Sequence, residues 1–334
     1  MSSITCAGID VSAKTLAVLL LADQERKGKG SAYEVPNTPQ GHRKLIKTLL
    51  AREVDRVICE STGVYHLGLA LALDQARLPV MVANTRQVKR FIEARLRNTQ
   101  TDQVDAYELA QFGLRMDFVP WRAPSAAAYA LHRIARSLHG YVEQATSAKN
   151  RIHASLAAPN TPRVVLKALR DELKLYERIE KSLTAEALAI ISANAELKRR
   201  FELLLSVPGI GEISAVQLLG ELCVLAPDLT AKAWVKLAGL DPTYKRSGTS
   251  VDTKPHISKR GNAKLRAGLF MPAMSARRWD PGLSSFADRL VAAGKAPLQA
   301  VTAVQRKLLH GIHAMFRLNE PWNSRMLVPA QGSA

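Results

Sequence analysis

Along the first third of the chain, apolar residues come in short runs of strand length. "TCAGIDV" and "TLAVLLLA" are near-continuous apolar stretches split by the polar "SAK", and "SAYEVPNT" adds a third extended stretch. "PQGHRKLIKTLLAR" then places apolar residues three and four apart, with Pro39 in the first turn, and reads as a helix. "DRVICEST" returns to a strand, "HLGLALALDQARL" to a helix and "PVMVANT" to a strand. Two basic or amphipathic segments follow, to about Arg115. Three early strands and then alternating helix and strand predict a mixed sheet with helices packed on it.

From about Pro124 to Arg200 the spacing is helical throughout. "AYALHRIARSLHGYVEQATSAKNRIHASL" and "RVVLKALRDELKLYERIEKSLTAEALAII" are split only by "AAPNTP", which predicts two long antiparallel helices and a coiled-coil hairpin. Beyond Phe201 the texture changes to glycine turns, short helices and dense positive charge. The expected organisation is therefore an α/β domain over 1–123, a helical hairpin over 124–200 and a mostly α domain over 201–334.

Composition narrows the function. With 47% hydrophobic and 23% charged residues, the chain can bury a core. No apolar run approaches the roughly 20 residues that span a bilayer, and "MSSITCAGID" lacks the basic and apolar segments of a signal peptide. Cys6, Cys59 and Cys223 are scattered and read as reduced thiols, so a cytoplasmic location without a membrane partner is expected. The 47 Lys and Arg outnumber the 29 Asp and Glu, giving a net charge of +18. Such an excess favours a polyanion, and nucleic acid is the usual one.

Against that charge, four acids stand out. Asp10 ends the strand "AGID" and Glu60 ends "VICE", where a side chain can leave the sheet edge for a cleft. "TDQVDAYELA" adds Asp102 and Asp105, three apart and so on one helix face. Singly, each reads as a turn, a surface acid or a first-turn complement to the helix dipole. Together they form an ordered set, and converging carboxylates suit a hard cation such as Mg²⁺ or Mn²⁺. Two such ions can clamp the attacking and leaving oxygens of a phosphodiester.

The C-terminal region holds the anion-binding signals. "LSVPGIGEISAVQLL" has the shape of a helix-hairpin-helix, whose Gly209 and Gly211 would expose backbone N–H groups to phosphate. From Asp241 to Arg278 nine Lys or Arg stand against two Asp. Within "YKRSGTSVD", Lys245 and Arg246 precede Ser247, and the local residues fit either a phosphate clamp or an activated hydroxyl. Lys259, Arg260, Lys264 and Arg266 follow at loop-to-helix spacing, and Arg86, Lys89 and Arg90 form a second basic segment upstream of the D-x-x-D helix. His310 and His313 share a helix face but lack further ligands, and read as packing residues.

In order, "GIDVSAKTL", "ICESTGVY", "NTQTDQVDAYELA", "VPGIGEISA" and "LAGLDPTYKRSG…ISKRGNAKLRAGLFMPAM" resemble the insertion-sequence "one-ten" transposases, a family that includes pilin-gene invertases and RNA-guided recombinases. The resemblance spans nearly the whole chain. It implies an RNase H-like (RuvC-like) N-terminal domain with its acidic tetrad on Asp10, Glu60, Asp102 and Asp105. A coiled coil and a C-terminal transposase domain with a nucleophilic serine, mapping onto Ser247, would follow. It further implies a bacterial, nucleoid-associated recombinase acting on double-stranded donor and target DNA as a homodimer or tetramer, with a structured guide RNA. Two readings compete with it: a metal-dependent junction-resolving nuclease that has no use for Ser247, and a non-enzymatic nucleic-acid-binding scaffold.

Overall fold

The computed structural model describes residues 3–23, 32–61, 63–95, 101–244, 246–247, 251–252 and 255–323, with backbone alone at 246–247 and 251–252. They fall in two compact units, Met1–Ala123 and Pro124–Ala334.

The first unit is built on five strands: β1 (Thr5–Val11), β2 (Thr15–Ala22), β3 (Tyr33–Pro36), β4 (Arg56–Glu60) and β5 (Val80–Ala83). Between and after them run α1 (Pro39–Ala51), α2 (Leu67–Gln75), α3 (Thr85–Ala94) and α4 (Asp102–Arg115). The sheet order is β3-β2-β1-β4-β5, antiparallel from β3 to β1 and parallel from β1 to β5, which is an RNase H-like arrangement. Ser12 closes the β1–β2 turn, its Oγ accepting from the Thr15 N–H at 2.9 Å. Thr38 caps α1 through its hydroxyl, and Pro39 opens that helix.

Strand periodicity decides what faces what. Ala7, Ile9, Val57 and Cys59 point to one face and join Leu45, Leu49, Leu69 and Leu73 of α1 and α2 in one core. Cys6 and Ile58 point to the other face, with Leu109 and Phe112 of α4. α4 lies unusually close to β1. A Cβ on Gly8 would stand 2.0 Å from the Ala106 carbonyl oxygen, and one on Gly113 would stand 2.7 Å from the Cys6 sulfur. Small residues at Gly8, Ala106, Ala110 and Gly113 thus set the helix directly on the sheet. Gly8→Ala should force α4 away and cost about 3 kcal/mol, an overpacking penalty at the upper end of the usual range. Chemical denaturation would read it, and an unchanged midpoint would show that the helix sits there for other reasons.

The second unit is helical apart from two short ladders. Its elements are α5 (Ala126–Ala157), α6 (Arg163–Ser192), α7 (Ala195–Leu205), α8 (Glu212–Leu222), α9 (Ala231–Leu237), β6 (Pro242–Thr243), β7 (Arg246–Ser247), β8 (Val251–Asp252), β9 (His256–Ile257), α10 (Ala263–Gly268), α11 (Phe270–Trp279), α12 (Pro281–Ala292) and α13 (Pro297–Leu318). α5 and α6 run antiparallel, their distal parts tied by Arg151–Glu172 at 2.9 Å and Lys149–Glu177 at 3.4 Å. The other end of the pair is core. Leu131, Leu138, Ala187 and Ile191 belong to one cluster with Val216, Leu219, Leu308 and Ile312. A Cβ on Gly220 would meet the Ala135 methyl at 2.3 Å and the Leu131 carbonyl oxygen at 3.2 Å, so the glycine lets α8 close onto α5. The helical pair therefore shares a core with the C-terminal helices, a consequence of the apolar residues placed at its base. Among the described residues no helix is long and apolar enough to cross a membrane.

Candidate acidic centre and nucleic-acid face

The alternation that buries Cys6 against α4 also sends Gly8 and Asp10 to that face, and the alternation through Ile58 sends Glu60 there. β1 and β4 are parallel neighbours, with Ile9 opposite Cys59, so Asp10 and Glu60 leave the sheet side by side. α4 runs back over β1, Gly113 above Cys6 and Ala106 above Gly8, which carries its N-terminal turn towards the strand ends. That turn holds Asp102 and Asp105, and Thr101 caps it by accepting from the Val104 N–H. Sheet register and one close helix contact thus bring all four acids to one end of the sheet.

Electrostatics show the result. Asp10 is half-buried, and its carboxyl is raised from 3.8 to about 6, first by burial and then by the charges of Asp105, Asp102 and Glu60, against a backbone hydrogen bond from Val11. Asp105 is raised by burial and by Asp102 and Glu60. Among the described residues, no three acid, imidazole or thiol groups already stand close enough to ligate one ion together. The carboxylates share a repulsive field, and an all-oxygen set of that kind fits Mg²⁺ or Mn²⁺, whose charge offsets the repulsion.

This raised carboxyl predicts that stability depends on pH. A folded pKa above the unfolded value means that the folded state binds more protons between about pH 4 and pH 6, so stability falls as pH rises through that window. The full shift corresponds to about 3 kcal/mol, and screening at a half-exposed carboxyl reduces it to about 1 kcal/mol. Without added metal, Asp10→Asn should therefore melt a few degrees higher than the parent at neutral pH and equally at pH 4. Equal melting at both pH values would mean that the Asp10 carboxyl is not raised in the folded state.

Side chains not singled out in the sequence hold this centre in place. The Asn37 amide nitrogen donates to the carbonyls of Ser12 (2.8 Å) and Tyr65 (3.2 Å), tying the turn after Asp10 to the loop after Glu60. His42 Nε2 donates to Asn37 Oδ1 at 2.7 Å, and burial lowers the His42 pKa, which favours the neutral ring protonated at Nε2. The buried Glu108, further along α4, pairs with Arg95 Nε at 2.8 Å and joins α3 to α4. On α3, Arg86, Lys89 and Arg90 are exposed, so that basic segment faces solvent. The three cysteine thiols are pushed up to about 12 by burial, which leaves them inert at neutral pH.

In the second unit, α7 and α8 flank the glycine turn. Gly209 has φ +91 and lies over Ser275 and Pro272, so glycine is required there by conformation and by space. Gly211 is the exposed N-cap of α8, with open space around it. Lys259 and Arg260 are exposed, Lys264 and Arg266 partly so, and Arg266 Nη1 donates to the Ala238 carbonyl at 2.9 Å. α10 is aimed by a network that sequence reading missed. Asn262 caps it through bonds from Lys264 and Leu265, and donates to the buried Glu221, which also holds Arg136 Nε of α5 at 3.0 Å. A lone glutamate in the apolar "QLLGELCVL" was the available signal. His313 Nε2 lies 2.8 Å from the Leu229 carbonyl, and its ring packs on the edge of Trp234, a packing histidine.

Ser247 pairs through its backbone with Val251, and Arg246 with Asp252. Their side chains, like Lys245 and the stretch 248–250, lie outside the described residues.

Comparison with known proteins joins these features. A family model described as "Transposase", of the DEDD IS110 class, matches residues 7–159, and one described as "Transposase IS116/IS110/IS902 family" matches residues 201–288. The chain is 26% identical to the pilin gene-inverting protein of Moraxella bovis, over 96% of this chain and 98% of that one. The pilin gene-inverting protein of Moraxella lacunata gives the same figures. The insertion element IS110 43.6 kDa protein of Streptomyces coelicolor is 30% identical over 49% of this chain and 39% of its own length. Among solved structures, T. thermophilus RuvC in complex with Holliday junction substrate aligns with 35% of this chain and 98% of its own, at 18% identity and a TM-score of 0.29. With both family models found in order, one across the acidic centre and one across the glycine turn and serine loop, the chain belongs to the IS110 family of transposases.

Proposed function

We propose that this transposase cuts and rejoins DNA strands using a divalent cation held by Asp10, Glu60, Asp102 and Asp105 of the first unit and a nucleophile, Ser247, carried by the second. The observation that carries the reading is the placement of the four acids at one end of the sheet, where burial first, and then the charges of Asp105, Asp102 and Glu60, raise Asp10 to about 6. In a chain of net charge +18, such a concentration of negative charge suits a place where cation and phosphate meet. Bound there, Mg²⁺ or Mn²⁺ would supply positive charge to the phosphate oxygens as negative charge builds on them.

Ser247 Oγ would attack phosphorus and lose its proton to solvent. The bond to the leaving sugar oxygen breaks, and that oxygen takes up a proton. One phosphoester replaces another, so attack by a sugar hydroxyl on the serine phosphodiester rejoins a strand and frees the serine without an energy source. Lys245 and Arg246, adjacent in sequence, would offset charge on the transferring phosphoryl group. Gly209, Gly211, Lys259, Arg260, Lys264 and Arg266, with Arg86, Lys89 and Arg90, would hold the nucleic-acid backbone. Donor and target are double-stranded DNA, and a structured guide RNA from the same element would choose them. The relatives named as gene-inverting proteins support a reaction that rejoins what it cuts.

Incubation with donor and target DNA should give joined products with Mg²⁺ and none with chelator. Products formed in chelator would overturn the reading.

Joining two ends needs more than one active site, so the protein would act as a dimer or tetramer. The distal hairpin is the expected contact, because Leu156, Val164, Val165 and Leu175 are exposed there. Replacing 151–175 with a short turn spares the shared core and should lower the mass measured by light scattering. An unchanged mass would place the contact elsewhere.

A further inference from the structure

The short strands around Ser247 are nested. β7 and β8 form an inner tier, and β6 and β9 an outer one, with Pro242 opposite Ile257. Two cavities of the second unit open on this outer tier. One, of about 560 Å³, lies between Pro242, Pro255, Ile257 and the α12–α13 turn. The other, of about 660 Å³, lies between Ile257, Phe270 of α11 and the α5 residues His139 and Glu143. Ile257, Leu298 and Thr302 line both, so the two are halves of one trough. Leu298 is 63% exposed on the shared wall, an aliphatic side chain left in water.

The trough combines two chemistries. Its walls are mostly aliphatic, with Pro242, Pro255, Ile257, Leu290 and Leu298 along the smaller half. Its lining adds Lys259, Lys295 and Arg306 on one side and Lys264 and Arg266 on the other. The acid among these groups, Glu143, lies 3.2 Å from His139. An apolar floor between cations suits a ligand that alternates flat apolar faces with anions, which is an unpaired nucleic-acid strand. A duplex stacks its bases inside and offers such a floor nothing to bury. The volumes also fall within the usual range for small-ligand sites, about 300–1,000 Å³.

We propose that this trough takes unpaired nucleotides, their bases over Ile257, Leu298 and Thr302 and their phosphates on Lys259, Lys295 and Arg306. The proposal rests on the recombinase reading, because strands being exchanged must leave their duplex near the serine loop, whose outer tier forms the wall of the trough. The occupant is therefore a DNA strand.

The test uses the full chain with short single strands of DNA or RNA carrying a fluorescent or photoreactive base, and with a matched duplex. Leu298→Glu and Lys295→Glu alter exposed positions, so folding should survive, as an unchanged melting temperature would verify. Each should weaken single-strand binding roughly ten-fold while moving duplex binding much less, and removing the Lys295 charge should reduce the salt slope by about one. Leu298→Met should bind as the parent does. Crosslinks from the photoreactive base should map to 255–257 and 295–306. The DNA strand should bind more tightly than the RNA strand, and a preference for RNA would overturn the assignment to a recombining strand. Unchanged single-strand affinity in both Glu variants, equal losses on duplex, or crosslinks only outside those segments would overturn the proposal and leave the recombinase reading standing. A parent chain that binds no nucleic acid would overturn both.

Discussion

Asp102→Asn with Asp105→Asn should abolish strand joining, a loss of a thousand-fold or more, while folding and nucleic-acid binding persist. The magnitude follows from the number of ligands removed. A carboxamide keeps shape and one acceptor oxygen but loses the charge that a hard cation needs. Both residues sit in the first turn of α4, one exposed and one half-buried. The substitutions therefore disturb no core contact, and Thr101 still caps the helix. Binding of DNA should be as tight or tighter, because two negative charges leave a site that must receive phosphate. The measurement is joined product together with retardation of the same DNA. Full activity of the double variant in chelator would show that the acids are surface features, and the non-enzymatic or metal-free readings would gain. A variant that neither binds nor melts cooperatively would point to a structural role for the first turn of α4.

What the sequence allowed to be read depended on whether the signal was local. The strands of the first unit are short apolar runs bounded by polar turns, so their existence was visible. Their order also follows from simple rules, a hairpin for β1–β2 and helical crossovers for β4 and β5. Asp10 and Glu60 were visible because an acid at the end of an apolar run has nowhere to go but out. Their shared face was less visible: it depends on which of two alternations meets α4, and that was decided by Gly8. A glycine in "CAGID" and an alanine in "DAYELAQ" look unremarkable apart, yet the carbonyl of Ala106 fills the space where a side chain would stand on Gly8.

The second unit hid more. Helical spacing over 124–200 marked two long helices but not what their base packs against. Leu131 and Ile191 read the same whether they meet each other or α8 and α13. Glu221 was passed over because an acid in an apolar helix looks like a solvent face until Arg136 and Asn262 are found around it. The trough beside β9 had no sequence signature, since its walls come from stretches over 50 residues apart, Pro242 and Leu298 among them. Ser247 is the opposite case. Its neighbours Lys245 and Arg246 are compatible with a nucleophile and equally with a phosphate clamp, and only family resemblance separates them.

Ser247→Ala is the substitution that separates them in the test tube. On a nicked or suicide DNA substrate, in which the released end diffuses away, the parent should accumulate protein covalently joined to one DNA end. Ser247→Ala should give none, whereas Thr249→Ala and Ser250→Ala should keep the adduct, because a nucleophile is defined by one placed oxygen and not by the hydroxyl content of its loop. Ser247→Cys should retain a trace, since a thiolate attacks phosphorus poorly but ionises more readily than a hydroxyl. The acid variants should lose the adduct as well, because a serine hydroxyl of ordinary pKa needs help to ionise and no histidine lies within the serine loop sequence. Loss of adduct in both sets would make the two units contributors to one reaction, a conclusion that neither unit alone supports. The competing outcome is equally definite. If Ser247→Ala still cuts DNA and leaves a free phosphate end with no protein attached, the serine only holds phosphate. Water would then be the nucleophile, and the chain would work as a metal-dependent junction nuclease.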